Sequence, residues 1–287
     1  MSRQEKVSVS TLAIKKRQGQ PITMLTAYDY PLARFINMAG IDIVLVSDAV
    51  GTVGLGRPKA VSVTVDEMIY HTRACRSGAG TSLVLTTLPF GTYVTPADAV
   101  QNATRMMKEG GGDGIHLEGT ASDAPAARAI VDAGIPVLAH VGIVKQKIVR
   151  SGLFRIQGRT AAEAAEIVED SLAMADAGAF ALVLECIPAP LAEAITRTLT
   201  IPTIGIGAGS ACDGQSLVTQ DMLGLYKELS PRFLRVYADL ESTIVDALSA
   251  FREDVERRSF PGPEHSYVIS DDELGQLLAL LATETQR

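Results

Sequence analysis

The sequence predicts a closed (β/α)8 barrel, and three observations carry that expectation. Short aliphatic runs recur down the chain, of which Ile43-Val44-Leu45-Val46 is the clearest. Unbroken apolar runs of this length mark parallel strands covered on both faces. Helical stretches with recognisable starts fill the intervals, giving the β-α-β alternation of a parallel sheet. Seven or eight such units fit into 287 residues, a length at which α/β barrels occur as one domain. That count favours a closed barrel over a doubly wound open sheet.

Residues 1–20 are polar and read as a short helix or arm. The first strand is Ile22 to Ala27, followed by a helix from about Asp29 to Ala39. The second strand, Ile43–Val46, leads into Ser47-Asp48-Ala49-Val50-Gly51, and residues 51–63 form a loop too polar for the core. Thr64 with Glu67 three residues on is a capping-box start for the next helix. Residues 82–86 make the third strand, and Thr95-Pro96 opens a helix that Gly110-Gly111-Gly112 ends. Gly114–Glu118 is strand four, a helix over 124–133 is closed by Gly134, and Pro136–His140 is strand five. Thr160 and Glu163 start a long Ala-rich helix that stops at Gly178. Ala181–Glu185 is strand six, a helix covers 192–199, and Thr203–Gly207 is strand seven. Met222-Leu223-Gly224-Leu225 is the expected eighth strand. The glycines at 205, 207 and 209 lack the helix and acidic residue of a dinucleotide fingerprint and read as a turn at a barrel mouth. A helix over 237–257 and a shorter one starting near Ser270, with Leu274, Leu277, Leu278 and Leu281 on one face, form a C-terminal helical extension of about 237–287. With no solenoid repeat and no low-complexity linker, the chain reads as a single domain.

Composition narrows the function. Apolar residues make up 47% and aromatics 5%, with no Trp, so small and aliphatic side chains must fill the core. A net charge of −7 with both signs interspersed argues against nucleic acid as a partner. No apolar run reaches membrane-spanning length, and the first residues lack the apolar stretch of a signal peptide. Cys75, Cys186 and Cys212 show neither paired spacing nor a metal motif, which points to free thiols in a reducing cytoplasm.

In a barrel, functional side chains gather at the C-terminal ends of the strands. The polar residues there are Asp48, Thr87, Glu118, His140 and Glu185, with His116 two before Glu118 and so on the same strand face. Asp48, His116 and Glu118 would make a divalent-metal site of two carboxylates and an imidazole. Glu185 would stand across the pocket as a proton-transfer group. Each has a plainer reading alone: Asp48 as a turn cap, His140 as a core histidine, Glu185 as a partner for an arginine. Four ionisable groups ending otherwise aliphatic strands point instead to one shared active site.

With these residues in view, the chain resembles the ketopantoate hydroxymethyltransferase (3-methyl-2-oxobutanoate hydroxymethyltransferase) family, a branch of the phosphoenolpyruvate mutase/isocitrate lyase superfamily. The matching segments run from about Thr26 to His265: Thr26-Ala27-Tyr28-Asp29, Val63 to Thr72, Leu88-Pro89-Phe90, Leu184-Glu185-Cys186, Ile204 to Gly209, Asp213-Gly214-Gln215 and Glu264-His265-Ser266. The resemblance implies a TIM barrel of that superfamily type and a Mg²⁺-dependent, class II aldolase-type reaction in pantothenate biosynthesis. It implies a 2-oxo acid substrate, 5,10-methylenetetrahydrofolate as one-carbon donor, and a homo-oligomer, a decamer by family. It also implies that Asp48 and Glu118 sit at metal-site positions, that His140 contacts substrate, and that Glu185 is the catalytic base.

The match breaks inside the pocket. Ala49 stands where the family has a serine contacting the oxo acid, Thr87 where it has a second metal-binding aspartate, and His116 where it has a substrate-holding lysine. Gly142-Ile143-Val144-Lys145-Gln146 and Phe154-Arg155 also depart from the family pattern. Losing one Asp and one Lys together leaves local charge nearly unchanged, the mark of a coordinated replacement. Three readings follow. His116 joins Asp48 and Glu118 in a metal shell favouring Mn²⁺, Fe²⁺ or Zn²⁺ over Mg²⁺; no metal binds and His116 works as an acid/base or enolate stabiliser; or the chain is a silent paralogue. The expected function is C–C bond formation by hydroxymethyl transfer onto a 2-oxo acid such as 3-methyl-2-oxobutanoate. The alternatives are a superfamily lyase, hydrolase or metal-dependent oxygenase on another acid, and a non-catalytic protein that assembles or binds ligand.

Overall fold

The structure is a computed structural model, described over residues 5–144, 155–228 and 231–284. Expectations attached to Lys145, Gln146 and Phe154 lie outside these residues. Eight strands form a closed parallel barrel in sequence order: β1 Ile22–Thr26, β2 Ile43–Val46, β3 Leu83–Thr87, β4 Gly114–Glu118, β5 Val137–Gly142, β6 Ala181–Glu185, β7 Thr203–Ile206 and β8 Gly214–Leu217. Strand β1 pairs with β2 on one side and with β8 on the other, which closes the ring.

Period-two alternation sorts each strand's side chains between two cores. Inside the barrel lie Ile22, Met24, Ile43, Leu45, Leu83, Leu85, Leu138, Ala181, Val183 and Ile204. Their neighbours Val44, Val46, Val84, Ile115, Leu117, Val137, Ala139, Leu182 and Leu184 face the surrounding helices. The helices start where the caps require. Asp29 accepts the backbone N–H of Leu32 at the head of Tyr30–Met38, and capping boxes open Val65–Gly78 and Pro96–Arg105 at Thr64 and Thr95. Thr160 accepts from the N–H of Glu163 at the start of Ala161–Asp176.

The expected eighth strand is corrected. Met222 ends a short helix, Thr219–Met222, and the strand is Gly214–Leu217. No aliphatic run marks it, because it exposes Gln215 and turns Ser216 inward. Its first residue must be small: a Cβ on Gly214 would stand 2.5 Å from the carbonyl oxygen of Ile22. Backbone approach, not apolar pattern, defines this strand.

The polar N-terminal stretch is the helix Val9–Arg17. Leu12 is fully buried and packs with the residues inside the barrel. Lys15 reaches Asp42 at 2.5 Å and Lys16 reaches Asp213 at 2.8 Å. Each aspartate also accepts a strand N–H, Asp42 from Thr23 at 2.9 Å and Asp213 from Thr203 at 2.8 Å. The helix is thus bolted to the barrel by one leucine and two charge pairs.

The chain forms two compact units, residues 1–238 with the barrel and residues 239–287. The second contains the helices Leu240–Glu256 and Asp271–Glu284 and a 3-10 turn, Pro263–His265, that holds part of the Glu264-His265-Ser266 motif. Among the described residues no helix is long and apolar enough to cross a membrane.

Leu12→Ala tests the bolt. Deleting this buried side chain is expected to lower stability by about 2–5 kcal/mol, read from the denaturant midpoint. A loss under about 1 kcal/mol would mean that the two lysine pairs hold the helix without it.

Candidate active site

At the carboxyl ends of the strands the inner face turns polar. A cavity of about 190 Å³ opens there, lined by Thr26, Ser47, Asp48, Ala49, His116, Glu118, His140, Glu185 and Ser216 over aliphatic residues such as Met24, Leu45 and Val183. Strand register explains who meets whom. Thr87 is the partner of His116, Glu118 of His140, and Gly142 of Glu185. Asp48, Ala49, His116, Glu118, His140 and Glu185 are therefore brought to one cavity, as the sequence indicates. Thr87 is not among the lining residues; it is buried behind His116.

Four of these residues form a chain of polar contacts. Thr87 Oγ1 lies 2.8 Å from His116 Nδ1, and His116 Nε2 lies 3.0 Å from His140 Nδ1. The two rings are tilted by 54° with centroids 5.1 Å apart. His140 Nε2 is 2.9 Å from Glu185 Oε2, a charge contact outside the line of an aligned hydrogen bond. Both nitrogens of His116 are engaged, so it enters a metal shell only by giving up one of these partners.

The cavity is strongly acidic. Three carboxylates, Asp48, Glu118 and Glu185, line it, and no lysine or arginine does so among the described residues. Asp48 and Glu118 are at most 6% exposed, so water screens them little. His116, Glu118 and His140 each offer one ligand atom within 4.8 Å of the others. With Asp48 on the same wall, this donor set fits a divalent cation: carboxylate oxygens suit a hard ion, imidazoles a borderline one.

The backbone under Glu185 is built tightly. Gly142 has φ +101, and a Cβ there would sit 2.3 Å from the Glu185 carbonyl oxygen. Cys186 follows with φ 51, rare for a residue other than glycine. Its thiol is pushed up to about 12, first by burial and then by the Glu185 charge. It is an inert wall, not a nucleophile.

Some of the site was not singled out from sequence. Thr26 and Ser216 line the cavity as inward positions of β1 and β8. Tyr28 donates to or accepts from Ser47 Oγ at 2.9 Å, and burial, with smaller contributions from Asp48 and Asp221, pushes its phenol up to about 12. Inward alternation carried to the strand ends would have found Thr26. Ser216 was hidden by the misplaced eighth strand. Asp221 follows β8, and burial raises its carboxyl from 3.8 to about 6.

Comparisons with known proteins show the family and the fold type. A family model described as ketopantoate hydroxymethyltransferase matches residues 6–263. A 3-methyl-2-oxobutanoate hydroxymethyltransferase from Moorella thermoacetica is 48% identical over 268 residues, covering 93% of this chain and 100% of the relative. The enzyme of that name from Nitratidesulfovibrio vulgaris is 47% identical, covering 95% of this chain and 90% of the relative. Among solved structures, a phosphoenolpyruvate phosphomutase from Streptomyces platensis subsp. rosaceus superposes with a TM-score of 0.57 at 15% identity, covering 96% of this chain and 97% of that one. A 2,3-dimethylmalate lyase of the PEP mutase/isocitrate lyase superfamily gives 0.58 at 16%, covering 96% and 93%. These two carry the fold: the barrel is of the type the resemblance implied.

Asp221 supplies a pH prediction. Its folded carboxyl lies above the unfolded one, so between about pH 4 and 6 the folded state binds more protons. Stability therefore falls as pH rises through that window, and the penalty is complete above it. Asp221→Asn is expected to raise the unfolding midpoint at pH 8 and to change it little at pH 4. Equal shifts at both pH values would remove charge burial as the cause.

Proposed function

The chain belongs to the ketopantoate hydroxymethyltransferase family, a family of enzymes, and on that premise we propose that it transfers a hydroxymethyl group to 3-methyl-2-oxobutanoate from 5,10-methylenetetrahydrofolate. One observation carries the reading: Asp48, Glu118, His140 and Glu185, the residues that match the family's positions, line one cavity. The cavity floor of Met24, Leu45 and Val183 suits a short branched aliphatic tail.

The charge balance supports a metal in this reading. An anionic 2-oxo acid cannot approach three carboxylates without a compensating cation. Asp48 and Glu118 would hold a divalent ion through their oxygens, Mg²⁺ being the ordinary choice for such donors. Bound there, the ion would supply the positive charge that draws the acid in and steadies charge developing on its oxo oxygen. Holding His116 as a third ligand requires release of His140 or Thr87, and Mn²⁺, Fe²⁺ or Zn²⁺ would be favoured in that event.

The protein's own groups do the proton work. Glu185 takes the proton from the substrate carbon next to the oxo group; that carbon bonds to the donor's methylene carbon as one of its two C–N bonds breaks, and water then replaces the remaining nitrogen, giving the hydroxymethyl group and tetrahydrofolate. His140 Nε2, 2.9 Å from Glu185 Oε2, limits the movement of that carboxylate at the cavity wall. The serine hydroxyl that the resemblance expects at Ala49 is missing, so Ser47 and Ser216 are the hydroxyls left to meet the acid group. A homo-oligomer belongs to the same reading. The C-terminal unit exposes Leu248, Phe251, Leu278 and Leu280 at 56–65%, an apolar surface suited to subunit contact. The three free cysteines accord with a cytoplasmic setting.

The reading is tested by following tetrahydrofolate release from the donor with 3-methyl-2-oxobutanoate and Mg²⁺, Mn²⁺, Fe²⁺ or Zn²⁺ in turn. Turnover is expected, falling roughly 10²–10⁴-fold in Glu185→Gln. Folded protein with no turnover under any metal would overturn it. Metal content checks the ligands separately. Asp48→Asn is expected to lose the ion, and His116→Ala to keep it; loss in His116→Ala alone would move the imidazole into the metal shell.

A further inference from the structure

Strands β5, β6 and β7 all end in left-handed backbone, at Gly142 with φ 101°, Cys186 with φ 51° and Gly207 with φ 65°. Glycine takes that conformation at little cost, and β5 and β7 use it. Only β6, which carries Glu185, keeps a side chain there, against the steric penalty of its Cβ. Among the described residues thirteen glycines have positive φ but only Cys186 and Arg258 do so with a side chain, so the exception beside Glu185 asks for a reason.

The peptide bond joining Glu185 to Cys186 is held from both neighbouring strands. Its carbonyl accepts the N–H of Ile143 at 3.1 Å, and its N–H donates to the carbonyl of Ile206 at 2.9 Å. The next carbonyl, that of Cys186, accepts the N–H of Gln157 at 3.1 Å. Register explains the grip, since Glu185 is the partner of Gly142 on one side and of Ile206 on the other. The Glu185 side chain has no equal support. Among the described residues no aligned hydrogen bond holds it, and His140 Nε2 meets Oε2 at 2.9 Å off the aligned direction. Its aim into the cavity therefore comes chiefly from the backbone beneath it.

We propose that Cys186 is a positioning residue, whose left-handed backbone, restricted by a buried Cβ, fixes the peptide from which Glu185 reaches into the cavity. The catalytic part of this proposal rests on the proton-taking role of Glu185 given above; the backbone part does not. Glycine would accept the same φ but would open many other conformations and let the base drift. Alanine would keep the Cβ and lose only the sulfur.

The test compares Cys186→Gly with Cys186→Ala in the full-length protein, using the metal that best supports turnover. Cys186→Gly is expected to lower kcat about 10- to 100-fold with KM for the oxo acid within about twofold, the mark of a base displaced after substrate is bound. Residue-resolved amide exchange at Ile143 and Gln157, both unaltered in sequence, is expected to quicken about tenfold. Cys186→Ala, the conservative variant, is expected to restore most of the rate and of the protection. A Cys186→Gly protein in which either kcat or exchange is unchanged overturns the proposal, as does a loss carried by KM or a Cys186→Ala protein that loses as much rate. No turnover in the unaltered protein with any metal would overturn the function reading, while the exchange comparison would still decide the backbone constraint.

Discussion

A parallel barrel of eight strands allows each inward side chain one of two fates, and the closed register decides which. Below the midline the inward positions of β2, β3, β5, β6 and β7 are Ile43, Leu83, Leu138, Ala181 and Ile204, which fill the interior and leave no channel. Above it the same rows end in Thr87, His116, Glu118, His140 and Glu185. A slip of one residue in any strand would exchange these for Thr86, Leu117, Ala139 or Leu184 and dissolve the site. The chemistry hangs on closure, and closure in turn hangs on small devices: the glycine that lets β8 lie against β1, and the N-terminal helix whose leucine stops the open end.

Closure also sets the electrostatics. The aliphatic plug keeps water from reaching the cavity from below, so its three carboxylates face one another across a poorly screened space. Burial lifts the Tyr28 phenol, and Asp48 and Asp221 add to the shift. Such a pocket is primed for a cation. The two imidazoles contact each other and Glu185, so the metal and the histidines are best assigned different work: charge for the substrate in one case, support of a carboxylate in the other.

Much of this was legible in the sequence. Seven strands follow from aliphatic runs, and Gly114–Glu118 and Ala181–Glu185 have the expected bounds. Asp48, His116, Glu118, His140 and Glu185 stand out because ionisable groups ending apolar strands have no core role to play. The eighth strand was not legible, because Gly214-Gln215-Ser216-Leu217 is shaped by backbone approach and by Asp213 bracketing Thr203 rather than by hydrophobicity. Thr87 ends its strand among the polar positions, yet it is buried with its hydroxyl against His116 and does not line the cavity. A strand end fixes which face a side chain takes; how far it reaches depends on the size of the neighbour in front, here an imidazole.

That last point gives the pocket's departures from its family a physical logic. The resemblance places an aspartate and a lysine where this chain has Thr87 and His116, and the two positions turn out to be register partners in hydrogen-bonding contact. Changing either alone would strand a charge in a buried wall: an aspartate facing an imidazole, or a lysine facing a hydroxyl, each uncompensated at a site with almost no exposure. Changing both removes one negative and one positive charge from the same contact and substitutes a neutral pair whose hydrogen bond is satisfied. The exchange is therefore self-contained at the level of charge. It is not neutral for chemistry, because a lysine points a cation at substrate, while His116 points Nε2 at His140, whose ring contacts Glu185 on the next strand.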